Sequence, residues 1–295
     1  MKKLSPYLIF FAAMLWATDA PFRMHLTKEL NSSFIVLAEH FVDVLFVLPL
    51  LYHGFGKLKL ISVKEWGAVL FIAICGSALA SIAFTQAFRY VNPSVAILLQ
   101  KLQPFIAISL AAGILKEKLT MRYWEWALSA IAGAYLISFP GFKPELFPGE
   151  QFNPNIIGIG YALLAAFLWG ASTVFGKYVL INTDFKLMTG LRFVIAFVFL
   201  LIFNLSTQSI PTLATVSPKD WLFIVVIAIT SGVVALFIYY KGLENTKASV
   251  ATIAELGFPM AAVIVNWVFL SASLVPMQLV GMTILMFAIY RLTRL

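Results

Sequence analysis

The sequence predicts an all-α integral membrane protein with ten transmembrane helices, arranged as two inverted five-helix repeats. Three observations carry that prediction. First, 61% of the 295 residues are hydrophobic and only 12% are charged. A soluble domain carries about 25% charged residues, so most of this surface must face lipid. Second, apolar runs recur along the whole chain. A spanning helix needs roughly 20 apolar residues, and a chain of 295 residues holds about ten of them with their turns. Third, the sequence repeats on itself half-way along.

The runs fall at 5–24, 34–52, 66–88, 94–115 and 122–140 in the first half. In the second they fall at 155–177, 187–204, 220–240, 248–270 and 276–291. Pro, Gly and charged residues bound them. The longest connections are 53–65, 141–154 and 205–219, rich in Gly, Pro, Lys and Ser. The expected organisation is a first repeat over 1–140, a periplasmic linker over 141–154 and a second repeat over 155–295. Lys2 and Lys3 before an apolar stretch ending in Ala17-Thr18-Asp19-Ala20 have the shape of a signal peptide. The same region has a counterpart in the second half, so it reads as part of the fold.

The repeat is seen by shifting the chain 155 residues. Trp66 then falls on Trp221, Ile72-Ala73-Ile74 on Ile227-Ala228-Ile229, Ser94-Val95-Ala96 on Ser249-Val250-Ala251 and Pro104 on Pro259. Slightly shorter shifts set Leu15-Trp16 on Leu168-Trp169 and His40-Phe41 on Arg192-Phe193. Five spans per half is an odd number, so the second half enters the membrane the other way round, as in many secondary transporters. Charge agrees. With the N-terminus in the cytoplasm, 14 of the 21 Lys and Arg lie on the cytoplasmic side and 5 on the outer side. Both termini are expected in the cytoplasm, across a bacterial-type inner membrane.

The net charge of +8 sits in short loops, where it meets lipid headgroups and argues against nucleic acid as a partner. The single cysteine, Cys75, excludes an intrachain disulfide, and His25, His40 and His53 have no metal-binding spacing. No metal or cofactor is expected. The chain lacks a Walker loop, a His-Glu-x-x-His helix and a Gly-x-Ser-x-Gly elbow. It reads as no enzyme, and an intramembrane lipid-modifying enzyme is the remote alternative.

Several motifs share an order and spacing with a known group. They are the Leu-Trp pairs of spans 1 and 6, the segment Ala87-Phe88-Arg89-Tyr90-Val91-Asn92-Pro93-Ser94-Val95-Ala96, Pro104, and Lys116-Glu117-Lys118-Leu119-Thr120. The chain resembles the EamA-type group of the drug/metabolite transporter superfamily over nearly its whole length. The resemblance implies export or exchange of amino acids, sugars, nucleotide sugars or related metabolites. Arg192 matches an Arg often found in the second helix of a half, and His40 replaces it in the first half. Ala272 stands where Glu117 has its repeat partner, so the acidic loop is missing there.

Charge inside a span costs about 2.5–3.5 kcal/mol on insertion scales and survives where it faces a cavity or a partner. Glu39 and Asp43, four residues apart, share a face of span 2. Two carboxylates so close cannot both ionise cheaply, which makes them candidates for proton coupling or cation binding. They read equally as a structural pair satisfied by His40, Lys101 or Arg23. Asp19 and Arg23 form a second i, i+4 pair, an intrahelical ion pair or an outer gate, with Pro21 breaking the helix between them. In span 4, Gln100, Lys101 and Gln103 precede Pro104, which frees a backbone carbonyl. Glu255 and Pro259 occupy the matching places in span 9. These kinked helices are expected to line a central cavity. Gln86, Arg192 and an aromatic wall of Trp16, Phe84, Trp169, Tyr239 and Tyr240 complete the candidates.

The expected function is a secondary transporter working by alternating access on a small polar metabolite, an amino acid or similar zwitterion first. A cationic solute, such as a quaternary amine or polyamine, is the alternative. The expected partners are a small-molecule substrate and membrane lipid, with protons as a candidate coupling ion and the protein a monomer or weak dimer.

Overall fold

The computed structural model describes residues 4–91, 96, 99–100, 102–139, 141, 156–212, 215–270 and 275–294; for 50, 53, 138, 156 and 266–270 it describes the backbone alone. Lys101, Ser94, Val95, Lys2, Lys3 and nearly all of the 141–154 linker lie outside the described residues. Every regular element among the described residues is helical.

The helices are α1 (Ser5–Trp16), α2 (Ala20–Glu29), α3 (Ser32–Gly54), α4 (Val63–Ala87), α5 (Gln103–Ile114), α6 (Met121–Ser138), α7 (Ile156–Val179), α8 (Phe185–Ser206), α9 (Pro218–Glu244), α10 (Ala248–Ala254), α11 (Gly257–Leu270) and α12 (Pro276–Leu292). Six stretches are long and apolar enough to cross a membrane: α3, α4, α7, α8, α9, and α10 continued into α11. The protein is a multi-pass membrane protein. Helices α5 and α12 are apolar but shorter.

Two expected single spans are broken. The run 5–24 is α1 followed by α2, which continues to Glu29. Pro21 is in the first turn of α2, where its missing N–H costs nothing. The run 248–270 breaks at Glu255-Leu256, between α10 and α11. Pro104 and Pro259 are therefore not kinks inside long helices. Each stands in the first turn of a helix that starts beside a break.

Helices α4 and α9 start alike. Ser62 and Glu65 cap α4 reciprocally, and Ser217 and Asp220 cap α9 in the same way. Each capping carboxylate also ties down a distant segment. Glu65 accepts from Asn182 at 2.8 Å, and Asp220 faces His25 at 3.3 Å. Midway, both helices widen into a π-helical stretch, Ile72–Leu79 in α4 and Ala228–Val234 in α9. Such a stretch is frequent at functional sites, because it leaves backbone groups without their usual helical partner.

Packing is between the halves. Helix α3 lies along α8, with Ser33 at the start of one bonded to Asn204 near the end of the other at 2.8 Å. Leu51, near the end of α3, fills the space beside Gly190 near the start of α8. The two helices are therefore antiparallel. Helix α6 lies along α12, where a Cβ on Gly133 would come 2.8 Å from the Gly281 carbonyl, and one on Gly281 2.7 Å from the Gly133 carbonyl. Small residues let the two backbones approach, the usual source of helix association in lipid. Helix α1 packs on α9, and α7 packs on α4.

Candidate functional site

A cavity of about 180 Å³ opens between α1, α2, α3, α4, α5, α7, α8, α9, α10 and α11. The breaks before α5 and between α10 and α11 both border it. So do both π-helical stretches, through Ser77 and through Ala228, Ser231 and Gly232.

At one end, Arg23 gathers two carboxylates. Its guanidinium lies 3.1 Å from Asp19 and 3.0 Å from Glu39, and it donates to the Thr85 hydroxyl at 2.9 Å. Arg23 and Glu39 are both buried. The i, i+4 pair Asp19–Arg23 exists as expected, but Arg23 also answers for Glu39. Glu39 and Asp43 are thus not an isolated carboxylate pair.

Asp43 sits one turn further along α3, with 2% of its surface exposed. It faces the π-helical stretch of α9 at Gly232. Its carboxylate lies against Gly232, leaving no room for a Cβ there. Its Oδ1 has no hydrogen-bond partner among the described residues. His40 meets the Val36 carbonyl through Nδ1 at 2.9 Å, so Nδ1 carries the proton, and its buried Nε2 has no hydrogen-bond partner among the described residues.

Arg192 on α8 makes the reciprocal contact with α4. It donates to Ser77 Oγ at 2.6 Å, to the Gly76 carbonyl at 3.2 Å and to the Tyr240 hydroxyl at 2.7 Å. Among the described residues, no carboxylate stands within ion-pair distance of it. A buried guanidinium here rests on neutral acceptors, two of them in the π-helical stretch of α4.

Glu255 is held by neutral donors. Tyr239 donates to Oε1 at 2.7 Å and Thr173 at 3.1 Å, and Gln103 donates to Oε2 at 2.6 Å. These donors come from α9, α7 and α5, so Glu255 joins the two broken helices. Aromatic pairs flank the cavity: Trp16 with Tyr239, and Phe84 with Trp169, both with ring centroids 5.1 Å apart. The pairs correspond by the repeat, Trp16 to Trp169 and Phe84 to Tyr239.

Of the residues picked out in the sequence, Trp16, Asp19, Glu39, His40, Asp43, Gln100, Gln103, Pro104, Trp169, Arg192, Tyr239 and Glu255 all border this one cavity. Gln86 does not. It accepts from Ser32 at 2.8 Å, tying the end of α4 to the start of α3. Pro259 is buried and does not border the cavity, which is lined here by Glu255 and Leu256 of the break and by Phe258 of α11. Lys101 lies outside the described residues.

Sequence reasoning missed Ser77, Ser172, Thr173 and Thr252, because a lone hydroxyl in an apolar run carries little signal. It undervalued Arg23. One signal was present: Gly76-Ser77 and Ser231-Gly232 place a small pair in the middle of the third helix of each half, at matching positions.

The EamA-like transporter family model matches residues 4–139 and 156–294. Riboflavin transporter ImpX of Fusobacterium nucleatum subsp. nucleatum is 31% identical over 298 aligned positions, which cover 98% of this chain and 97% of that protein. A chain from a crystal structure, 15% identical, superposes with a TM-score of 0.73 over 98% of this chain and 96% of its own, which shows a shared fold.

Proposed function

The chain belongs to the EamA-like transporter family, and on that premise we propose that it carries a riboflavin-like solute, a flat heteroaromatic ring with a polar tail, by alternating access. It is a transporter and not an enzyme. The observation that carries the substrate reading is the aromatic lining: Trp16 with Tyr239 and Phe84 with Trp169 put two aromatic pairs on a cavity that also holds polar groups. The relative named for riboflavin transport supports it.

The amino-acid expectation has no such support. Its strongest feature, charge of both signs, is partly used internally, since Arg23 pairs with both Asp19 and Glu39. A cationic solute would meet Arg23 and Arg192 beside Asp19, Glu39, Asp43 and Glu255 in the same space.

The cavity is smaller than the roughly 300 Å³ at which ligand pockets usually begin. Admitting a flavin-sized solute therefore requires the helices to part. Two inverted five-helix halves, 1–140 and 155–295 joined by 141–154, would supply that motion. The reading is supported by the two family matches and by the antiparallel course of the equivalent helices α3 and α8. Both termini lie in the cytoplasm in this scheme, across a bacterial-type inner membrane, and the transporting unit is a monomer or weak dimer. If protons drive the flux, Asp43 is the better candidate in the Glu39/Asp43 pair, because Glu39 already has Arg23.

Flux of labelled riboflavin into proteoliposomes tests the reading. Saturable counterflow is expected, reduced at least tenfold in Trp16→Ala and in Trp169→Ala. Counterflow of an amino acid or a quaternary amine, with none of riboflavin, overturns it.

A further inference from the structure

We propose that the contacts His25–Asp220 and Asn182–Glu65 are two equivalent latches, one at each end of the molecule, and that the transport cycle releases one while it keeps the other. The inference rests on the alternating-access reading and is independent of the solute carried.

The two contacts are built from the same parts. Shifting the chain by 155 residues sets the Ser62–Glu65 cap of α4 on the Ser217–Asp220 cap of α9. Both carboxylates are buried, and each divides its oxygens in the same way. Glu65 Oε2 takes the Ser62 hydroxyl at 2.7 Å, and Oε1 takes the Asn182 amide at 2.8 Å. Asp220 Oδ2 takes the Ser217 hydroxyl at 2.6 Å, and Oδ1 faces His25 Nε2 at 3.3 Å. His25 stands on α2, between α1 and α3, and Asn182 stands between α7 and α8. Each latch therefore joins the stretch between the first two spans of one half to the third span of the other.

An apolar patch accompanies each contact. Leu26 lies in one buried cluster with Val216, Ile224 and Ile227. Leu180 lies in another with Ile61, Val69 and Ile72, which are the same three positions by the repeat.

The latches sit at opposite ends. Helices α3 and α8 are antiparallel. Phe34, at the start of α3, meets Trp221, at the start of α9, with ring centroids 6.3 Å apart. The His25–Asp220 contact belongs to that end. Leu187, at the start of α8, lies beside Gly54, at the end of α3. The Asn182–Glu65 contact belongs to this other end. Arg23 on α2 and Ile227 of the first patch both border the cavity, so parting α2 from α9 moves residues of the cavity wall.

Release is cheap by construction. When a latch opens, its carboxylate keeps the serine and the helix start that it caps, and one oxygen alone must find water. Rocking of two inverted halves breaks contacts between the halves at one end and keeps those at the other. Both latches are made in this structure, in keeping with its small cavity.

The test reads which side of the membrane the cavity faces. Cys75→Ser removes the native thiol, and Ser81→Cys places a reporter on the cavity wall. Its rate of reaction with a small membrane-impermeant thiol reagent is measured in intact cells and in inside-out vesicles. Single cysteines at positions 59 and 219 mark the two sides. His25→Ala should raise the rate from the side where 219 reacts and lower it from the other. The ratio of the two rates should change about three- to tenfold, the worth of one hydrogen bond. Asn182→Ala should move the ratio the opposite way, and the double variant should return it toward the wild type. His25→Asn, which sets at 25 the amide used at 182, should stay near the wild type. Elution profile and melting temperature control for folding. Where an alanine variant fails to fold, Asp220→Asn or Glu65→Gln, which leave the serine an acceptor, replaces it with the same expected direction. Shifts in the same direction, reversed shifts or no shift overturn the latches. A reporter that reacts from one side alone in every variant overturns alternating access and the latches with it. Opposite shifts without riboflavin counterflow uphold the latches and overturn the substrate reading alone.

Discussion

The carboxylate of Asp43 occupies the place where a Cβ on Gly232 would sit. The built Cβ would lie 3.0 Å from Asp43 Cγ and nearer still to Oδ1. This contact lets α3 dock on the π-helical stretch of α9. Gly232→Ala should push the carboxylate away and cost about 1–3 kcal/mol, the range for overpacking a tight site. Transport should fall more than stability does. Gly67→Ala is the control, because nothing lies within 4 Å of its Cβ position. In a helix that change should be neutral or stabilising by up to about 1 kcal/mol. Thermal unfolding and flux measured on both variants check the prediction.

The Asp19–Arg23–Glu39 cluster predicts a non-additive mutant cycle. Arg23→Gln leaves two buried carboxylates without their cation, and breaking a buried pair costs about 3–5 kcal/mol. Glu39→Gln alone leaves Arg23 with Asp19 and should cost less. The double variant should be more stable than Arg23→Gln alone, since one unpaired charge is removed with the other. Additive losses in melting temperature would show that the two residues are not coupled.

Glu117 should act as a clasp between the halves. Its carboxylate accepts from the backbone of Ala248 at 2.8 Å and of Ser249 at 3.2 Å, and from the Ser249 hydroxyl, at the start of α10. Lys116, with φ of 53°, turns the chain after α5 so that Glu117 points there. A carboxylate is favourable at a helix N-terminus. Glu117→Ala should destabilise the protein by about 1–2 kcal/mol, as loss of a capping residue does. Glu117→Gln should recover part of that. The order wild type, Gln, Ala in melting temperature is the outcome to look for.

Topology gives the fourth prediction. Lys59, before α4, is assigned to the cytoplasmic side, and Lys219, at the start of α9, to the outer side. The native Cys75 is replaced first, and single cysteines are then placed at these two positions. A membrane-impermeant thiol reagent applied to intact cells should label position 219 and not position 59. Labelling of both, or of 59 alone, would refute the orientation.

Much of the cavity lining was legible in the sequence. Charged and amide side chains in apolar runs are costly, so each one that persists marks a polar environment. That reasoning found Asp19, Glu39, Asp43, Arg192 and Glu255, and all of them border one cavity. It failed for Gln86, whose amide serves a helix junction. It also failed for Ser172 and Thr252, whose hydroxyls cost too little in an apolar run to stand out.

By itself the sequence determined the membrane class, the order of the helices, their repetition and the residues that lipid could not hold. These follow from insertion cost and helical periodicity, which act within one segment. The tertiary structure alone decided who meets whom. Glu39 is paired with Arg23 from another helix, Arg192 rests on Ser77, Gly76 and Tyr240, and Glu255 joins α5, α7 and α9. The reason is that a side chain's partner depends on the depth and rotation of both helices. Those are set by close contacts such as Gly133 on Gly281 and Asp43 on Gly232, and by two π-helical turns that redirect a backbone without leaving a mark in hydropathy.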